Sequence, residues 1–418
     1  MRGKLSAAPD RRTVEIMRAV CVVLLIGCGF HSRTGGSADP VDAATPAIDS
    51  VIETGPLCAS IASVAPTFAA SACADLAPAP LTISSTTSID TDHGTSTTAG
   101  LTCTPVANGL AQLCVIAAPS ITIAPGVVLS AHGSLPLALF ARAITIRGTV
   151  DIASHVADST PGAGSYSYRG GCSAGTLPKG AGGGRGGSAS GFGGNGGDEG
   201  GNPASGGITG ASFGITSLVG GCGGTRGGDG SSGGGPDGGA TTGGPGGGAI
   251  WIVSASAQLV IEAGARINAS GAGGPGNATE DHGGAGGGAG GLIVLQAPSI
   301  SLAPTAAIFA NGGGGAGGGA LNPGNPDFKL ADPGSDPTGP AQGGTGGTGG
   351  IDGSEGLADA TPSGTGGTGA PSSALAGQPG ATDGHGGGGG GGGAGAIRVA
   401  APTDITGPNV SPDPVKLH

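Results

Sequence analysis

The chain has 418 residues, of which 98 are glycine, 2% are aromatic and 10% are charged, with a formal charge of −11. So few large apolar side chains do not build the thick core of a globular enzyme of this length, and so few charges do not make ordinary charged disorder. No basic cluster stands out, which sets nucleic-acid binding aside, and the acidic balance favours solubility.

The first readable element is the run MRAVCVVLLIGC, from Met17 to Cys28. Arg18 supplies a positive flank. The apolar stretch 19–27 is too short to cross a bilayer and suits the apolar core of a signal peptide. It ends in Leu25-Ile26-Gly27-Cys28, which resembles the lipobox of bacterial lipoproteins, where cleavage falls before a cysteine that receives lipid. That resemblance implies a signal peptide over residues 1–27, lipid attachment at Cys28 and membrane lipid as a partner. Gly29, in place of an aspartate, implies sorting to the outer membrane of a Gram-negative cell, with a periplasmic face or secretion as alternatives. Asp10 and Glu15 are unusual ahead of such a run, which makes Met17 an alternative start. Cleavage removes five basic and two acidic residues and takes the formal charge to −14. Residues 28–56 read as a flexible tether.

Six further cysteines follow: Cys58, Cys73, Cys103, Cys114, Cys172 and Cys222. An even number in an exported chain points to disulfides. Pairing between neighbours is the simplest expectation: Cys58 with Cys73, Cys103 with Cys114, and Cys172 with Cys222. No C-x-x-C pair supports a zinc site. Residues 57–112 form a cysteine-containing cap region.

From residue 113 to 418 a phrase recurs. LCVIAAPSITIAPGVVLSAHG begins at Leu113, LALFARAITIRGTVDIAS at Leu137, AIWIVSASAQLVIEAGARINASG at Ala249, LIVLQAPSISLAPTAAIFANG at Leu292 and AIRVAAPTDITGPNVS at Ala396. Each unit reads as three short strands with period-two alternation, cornered by Pro and Gly. The middle strand carries paired apolar positions: Ile121/Ile123, Ile144/Ile146, Leu259/Ile261 and Ile300/Leu302. One such coil cannot bury its own apolar edge, whereas stacked coils can. The expected fold is therefore all-β, a right-handed parallel β-helix-like solenoid. A β-sandwich with disordered Gly-rich loops gives the same periodicity. LTISSTTSIDTD, Leu81 to Asp92, is a candidate earlier coil.

Long Gly-rich insertions, at about 155–248, 272–290 and 313–394, each follow a third strand, so all leave one corner of the stack. Ordering them costs roughly 1–2 kcal/mol per residue. Two outcomes stay open. The insertions are disordered, or their backbones bond sideways as threefold polyglycine-like helices. Collagen is excluded because no sustained G-X-Y register exists. The apolar island Ala211–Cys222 points to one docking site for the first insertion.

Sites for chemistry are sparse. G-x-G-x-x-G recurs at the rate this composition demands, without G-K-[ST], so no nucleotide or other cofactor is expected. GGNGGDEG (193–200) partly matches a calcium-binding nonapeptide but occurs once. DTDHG (90–94) offers oxygen ligands without the rest of an EF-hand loop, and no metal is expected. The strand-borne charges Arg147, Asp151, Glu262, Arg266, Arg398 and Asp404 do not share one recurring position and read as outward and solvated. No Ser/His/Asp or Cys/His constellation is apparent, so no catalytic residue is assigned. Trp251 reads as a strand residue rather than a sugar platform.

The lipobox-like LIGC, the SITIAPGVVLSAHG coil, GGAIWIVSA, INASGAGG and the closing GGGGGGGGGAGAIRVAAP together resemble the glycine-rich repetitive surface lipoproteins of Gram-negative bacteria, the kind abundant in myxobacteria. The resemblance covers most of the chain beyond the signal. It implies a lipid-anchored, surface-exposed, non-enzymatic envelope protein, structural or adhesive, with envelope or extracellular polysaccharide as a further partner. A carbohydrate-active β-helix enzyme and a calcium-stabilised carbohydrate-binding module are the alternatives.

Overall fold

The computed structural model describes residues 79–417, except 109–110, 158–159, 166–171, 173–174, 200–205, 210–217, 230–241, 277–281, 320–328, 350–366 and 371–385. Cys28, Cys58, Cys73, the expected signal peptide and the expected tether lie outside the described residues.

Among the described residues there are seventeen strands and no helix. In chain order they are β1 (Leu81–Ile83), β2 (Thr87–Asp90), β3 (Thr95–Ser96), β4 (Thr104–Asn108), β5 (Ala111–Ile123), β6 (Val128–His132), β7 (Leu137–Ile146), β8 (Thr149–Asp151), β9 (Ala249–Ser254), β10 (Leu259–Ile261), β11 (Arg266–Asn268), β12 (Leu292–Gln296), β13 (Ile300–Leu302), β14 (Ala307–Phe309), β15 (Ala396–Ala400), β16 (Val410–Ser411) and β17 (Val415–Lys416). They form two sheets. The first runs β1-β5-β7-β9-β12-β15-β17, with β10 and β13 continuing from β7 and β4 lying along β5. The second runs β16-β14-β11-β8-β6-β2-β3. Pairing is parallel throughout except at β2–β3 and β4–β5. These two antiparallel strands cover ladder groups that a bare edge would expose.

Register explains the repeated phrase. Leu81, Ile121, Ile144, Leu259 and Ile300 pair in one row. Ile116, Leu139, Ile252, Leu295 and Val399 form a second row in the first sheet. In the second sheet Leu129, Val150, Ile267, Ile308 and Val410 pair in the same way. All but the partly buried Leu81 are buried members of a single core cluster that draws on both sheets. Each fully buried aliphatic side chain contributes about 1.5–3 kcal/mol. Similar residues recur because each must fill the same place one layer further along.

The candidate earlier coil, Leu81 to Asp92, pairs in parallel with the first unit through β1 and β2, so the stack begins ahead of residue 113. The structure departs from the expected units in two places. The first two strands of the first two units are continuous, as β5 and β7. LALFARAITI in β7 has no breaker, and Pro119 in β5 falls where the ladder skips one pair, so its missing N–H costs little. In the fifth unit the middle segment around Ile405 is not a strand, although Ile405 is buried in the same core.

Much of the described part of the Gly-rich insertions is buried and hydrogen-bonded, with exposed residues such as Leu177, Phe192 and Leu330 at its rim. The limb leaving β8 bonds to the limb leaving β11, through Ile152 N–H to the Asn268 carbonyl (2.9 Å), and that limb bonds to the one leaving β14, through Ala269 N–H to the Phe309 carbonyl (2.9 Å). Segment 283–291, buried throughout, shows the arrangement best. The N–H groups of Gly284, Gly287 and Gly290 donate to Gly387, Gly390 and Gly393 at 2.8–2.9 Å. Gly283, Gly286 and Ala289 donate to Gly228, Thr225 and Cys222; Gly288 and Gly291 donate to Ala272 and Ala269. Its carbonyls accept from three more segments: Gly184 and Gly187, Gly244 and Gly247, Gly313 and Ala316. Partners change with a three-residue period and surround the segment with six neighbours. Polyproline-II-like chains have this period and use their backbone groups outward rather than internally. Such bonds satisfy buried N–H and C=O groups and contribute roughly 0.5–1.5 kcal/mol each, which offsets part of the ordering entropy.

The outer face of the first sheet is also covered. Leu113, Val115, Ala138, Phe140 and Val253 form an apolar cluster there, joined by Trp251. Leu218, at the described end of the apolar island, packs against it, and Val219 packs on Ala249, Leu292 and Ala396.

Candidate functional site

The outer face of the second sheet carries a cleft of about 160 Å³, lined by polar and small apolar residues. Its floor is a register row. Ser88 of β2 pairs with Ser130 of β6, and Ser130 with Asp151 of β8. The preceding residues Thr87, Leu129 and Val150 point inward and are fully buried, so strand alternation forces this row outward. His132 closes one side, with Nδ1 3.3 Å from Ser88 Oγ. His155, Thr160 and Gly162 line it as well, and Gly162 pairs with His132 across an antiparallel bridge. Ser154 fixes this segment: its buried hydroxyl donates to the Gly246 carbonyl (2.6 Å) and accepts from Gly162 N–H (2.8 Å).

His155 is held between two carboxylates. Nε2 lies 3.2 Å from Asp151 Oδ2 and Nδ1 lies 3.4 Å from Asp336 Oδ2. The hydrogen bond to Asp151, and next the one to Asp336, hold the imidazolium and push its pKa up to about 10. Both ring nitrogens therefore donate. Asp336 comes from the third insertion and also accepts from the N–H groups of Val156 (3.1 Å) and Gly273 (2.9 Å). One carboxylate thus joins all three insertions next to the cleft.

The cysteines fall into two bonded pairs among the described residues. Cys103 and Cys114 have Cα atoms 5.2 Å apart and tie the segment before β4 to β5. Cys172 and Cys222 have Cα atoms 5.7 Å apart and cross-link the first insertion.

The remaining motifs resolve into local bonds. At DTDHG, Asp90 binds His93 Nδ1 at 2.7 Å, and Asp92 Oδ1 accepts from Ser134 N–H (2.8 Å) and Oγ (2.5 Å). In GGNGGDEG, Asn195, Asp198 and Glu199 accept from the N–H groups of Thr209, Gly206 and Ala181. These carboxylates finish backbone bonds of neighbouring segments. No group of three or more metal-ligating side chains occurs among the described residues. Arg147 pairs with Glu262 at 2.8 Å and Asp404 with Lys416 at 2.6 Å. Arg266 is exposed and reaches the Thr338 carbonyl at 3.5 Å. Trp251 meets Phe140 edge-to-face at 5.3 Å and donates to Gln296 Oε1 at 3.2 Å.

Of the strand-borne charges singled out in the sequence, only Asp151 lines the cleft. Ser88, Ser130, His132, His155 and Thr160 were not singled out. The signal was present in the coil alignment: Ser88, Ser130 and Asp151 all follow the same inward position. Counting charges alone hides it, because two of the three are hydroxyls.

No protein-family model matches the chain, and the searches of curated proteins and of solved structures also returned no match.

Proposed function

We propose that the chain is a lipid-anchored, non-enzymatic protein of the cell envelope, structural or adhesive in role, built on a right-handed parallel β-solenoid. The fold reading is supported by the order of travel. The chain passes from the first sheet to the second and back, layer after layer, and each layer pairs in parallel with the next. Sandwiches are built mainly from antiparallel neighbours. Parallel crossovers are right-handed by a strong general rule.

The observation that carries the cellular reading is the pair of disulfides, Cys103–Cys114 and Cys172–Cys222. Such bonds persist in oxidising compartments. That agrees with an apolar leader ending in Leu25-Ile26-Gly27-Cys28 and with acylation of Cys28. A stiff stack whose insertions are bonded into one lattice suits a body that holds its shape outside the cell.

The test is protease shaving of intact cells carrying the wild-type chain or Cys28→Ala. Surface anchoring predicts that the wild type is shaved and the variant is lost to the medium. Retention of the variant with the membrane would overturn the anchor. Protection of the wild type until the outer membrane is opened would move the protein to the periplasmic face.

A further inference from the structure

We propose that the cleft on the second sheet binds a neutral sugar ring. The proposal goes beyond the envelope reading and does not rest on the anchor. Three features define the ligand. First, the polar lining consists of three hydroxyls, two imidazoles and one carboxylate: Ser88, Ser130, Thr160, His132, His155 and Asp151. These groups both donate and accept, as paired hydroxyls on a ring require. Second, the charges beside the cleft are already engaged. The His155 imidazolium spends both N–H groups on Asp151 and Asp336, one cation against two carboxylates, which leaves no counter-charge for an anionic ligand. The carboxylates accept from Ala153, Asn268, Val156 and Gly273 as well, so a cation would lose its hydration for groups that already have partners. Third, Ala131, Ala153 and Pro161 also line the cleft and offer small apolar contacts to the C–H face of a ring.

Size agrees with one ring. A volume of about 160 Å³ corresponds to about five waters at their liquid share. The floor is periodic, with Ser88, Ser130 and Asp151 on successive strands spaced about 4.8 Å apart. A ring lying along that row meets a hydrogen-bonding group on each layer. The rigid β-strands hold these groups in place before binding, which limits the entropy lost.

The test uses the purified full chain and the methyl glycosides of glucose, galactose, mannose and N-acetylglucosamine, followed by ligand-observed NMR titration. Saturable binding of at least one glycoside is expected, weakened tenfold or more in Ser88→Ala/Ser130→Ala with the thermal melt unchanged. Thr160→Ala, on the exposed wall, gives an independent reading with a severalfold loss expected even if the double variant folds poorly. Absence of binding by every glycoside would overturn the proposal, as would wild-type affinity in both variants.

Discussion

The carbonyl oxygen of Gly313 occupies the place where a Cβ on Gly287 would stand. The two residues belong to neighbouring insertions, and Gly287 also donates to Gly390 at 2.9 Å and accepts from Gly187 at 2.8 Å. Gly287→Ala must therefore push apart a junction of four segments. Overpacking of this kind costs about 1–3 kcal/mol or more. Gly339 has open space around its Cβ position, and Gly339→Ala is expected to be neutral or to stabilise by up to about 1 kcal/mol through the unfolded chain. Denaturant unfolding of the two variants separates a steric need for glycine from a compositional habit.

His155 gives the stack a pH dependence of known sign. Its pKa rises from the ordinary 6.5 to about 10 on folding, so the folded chain holds the proton more tightly. The stabilisation is complete below about pH 6.5 and is lost as pH rises through about 10. The side chain is 36% exposed, and solvent screening limits the gain to about 1–2 kcal/mol. His155→Gln should lower unfolding free energy by that amount near pH 6, and wild type and variant should converge above pH ~10. A difference that is independent of pH would contradict the ion-pair account.

The Cys172–Cys222 bond closes a sequence separation of 50 residues. Loop-closure entropy for that span gives about 4 kcal/mol. Cys172→Ser/Cys222→Ser should lower the melting temperature by more than Cys103→Ser/Cys114→Ser, whose separation is 11 and whose expected contribution is about 3 kcal/mol. The reverse order would show that the first insertion stays docked without its cross-link.

Chelation is expected to leave the melt unchanged. The Asp90–Gly94 turn already satisfies its carboxylates with His93, Ser134 and local N–H groups. A calcium-stabilised module would instead lose melting temperature in a chelator and regain it on adding calcium.

The coils were legible because burial demands like residues at like places. Ile121, Ile144, Leu259 and Ile300 announce one row before any coordinates are known. The fused strands β5 and β7 were less legible, since Pro119 reads as a corner yet lies inside β5, and Arg142-Ala143 in β7 holds no breaker. The glycine lattice was only half legible. Composition states that GGAGGGAGG can pack closely, but the partners of Gly287 come from residues 187, 313 and 390, and no local pattern names them. The cleft was hidden for a related reason. His155 meets Asp336 across 181 positions of sequence, through an insertion whose path the strands do not set.

Hydrogen–deuterium exchange of the full chain, read on the peptide covering 283–291, tests the central claim most directly. That claim is that the described parts of the glycine-rich insertions are a bonded lattice continuous with the β-stack. Amides in this segment should exchange as slowly as those of β7 and β12, since they open only with the stack. Exchange at the rate of an unfolded chain, with β7 and β12 still protected, would show free loops hung on a solenoid and would contradict the account.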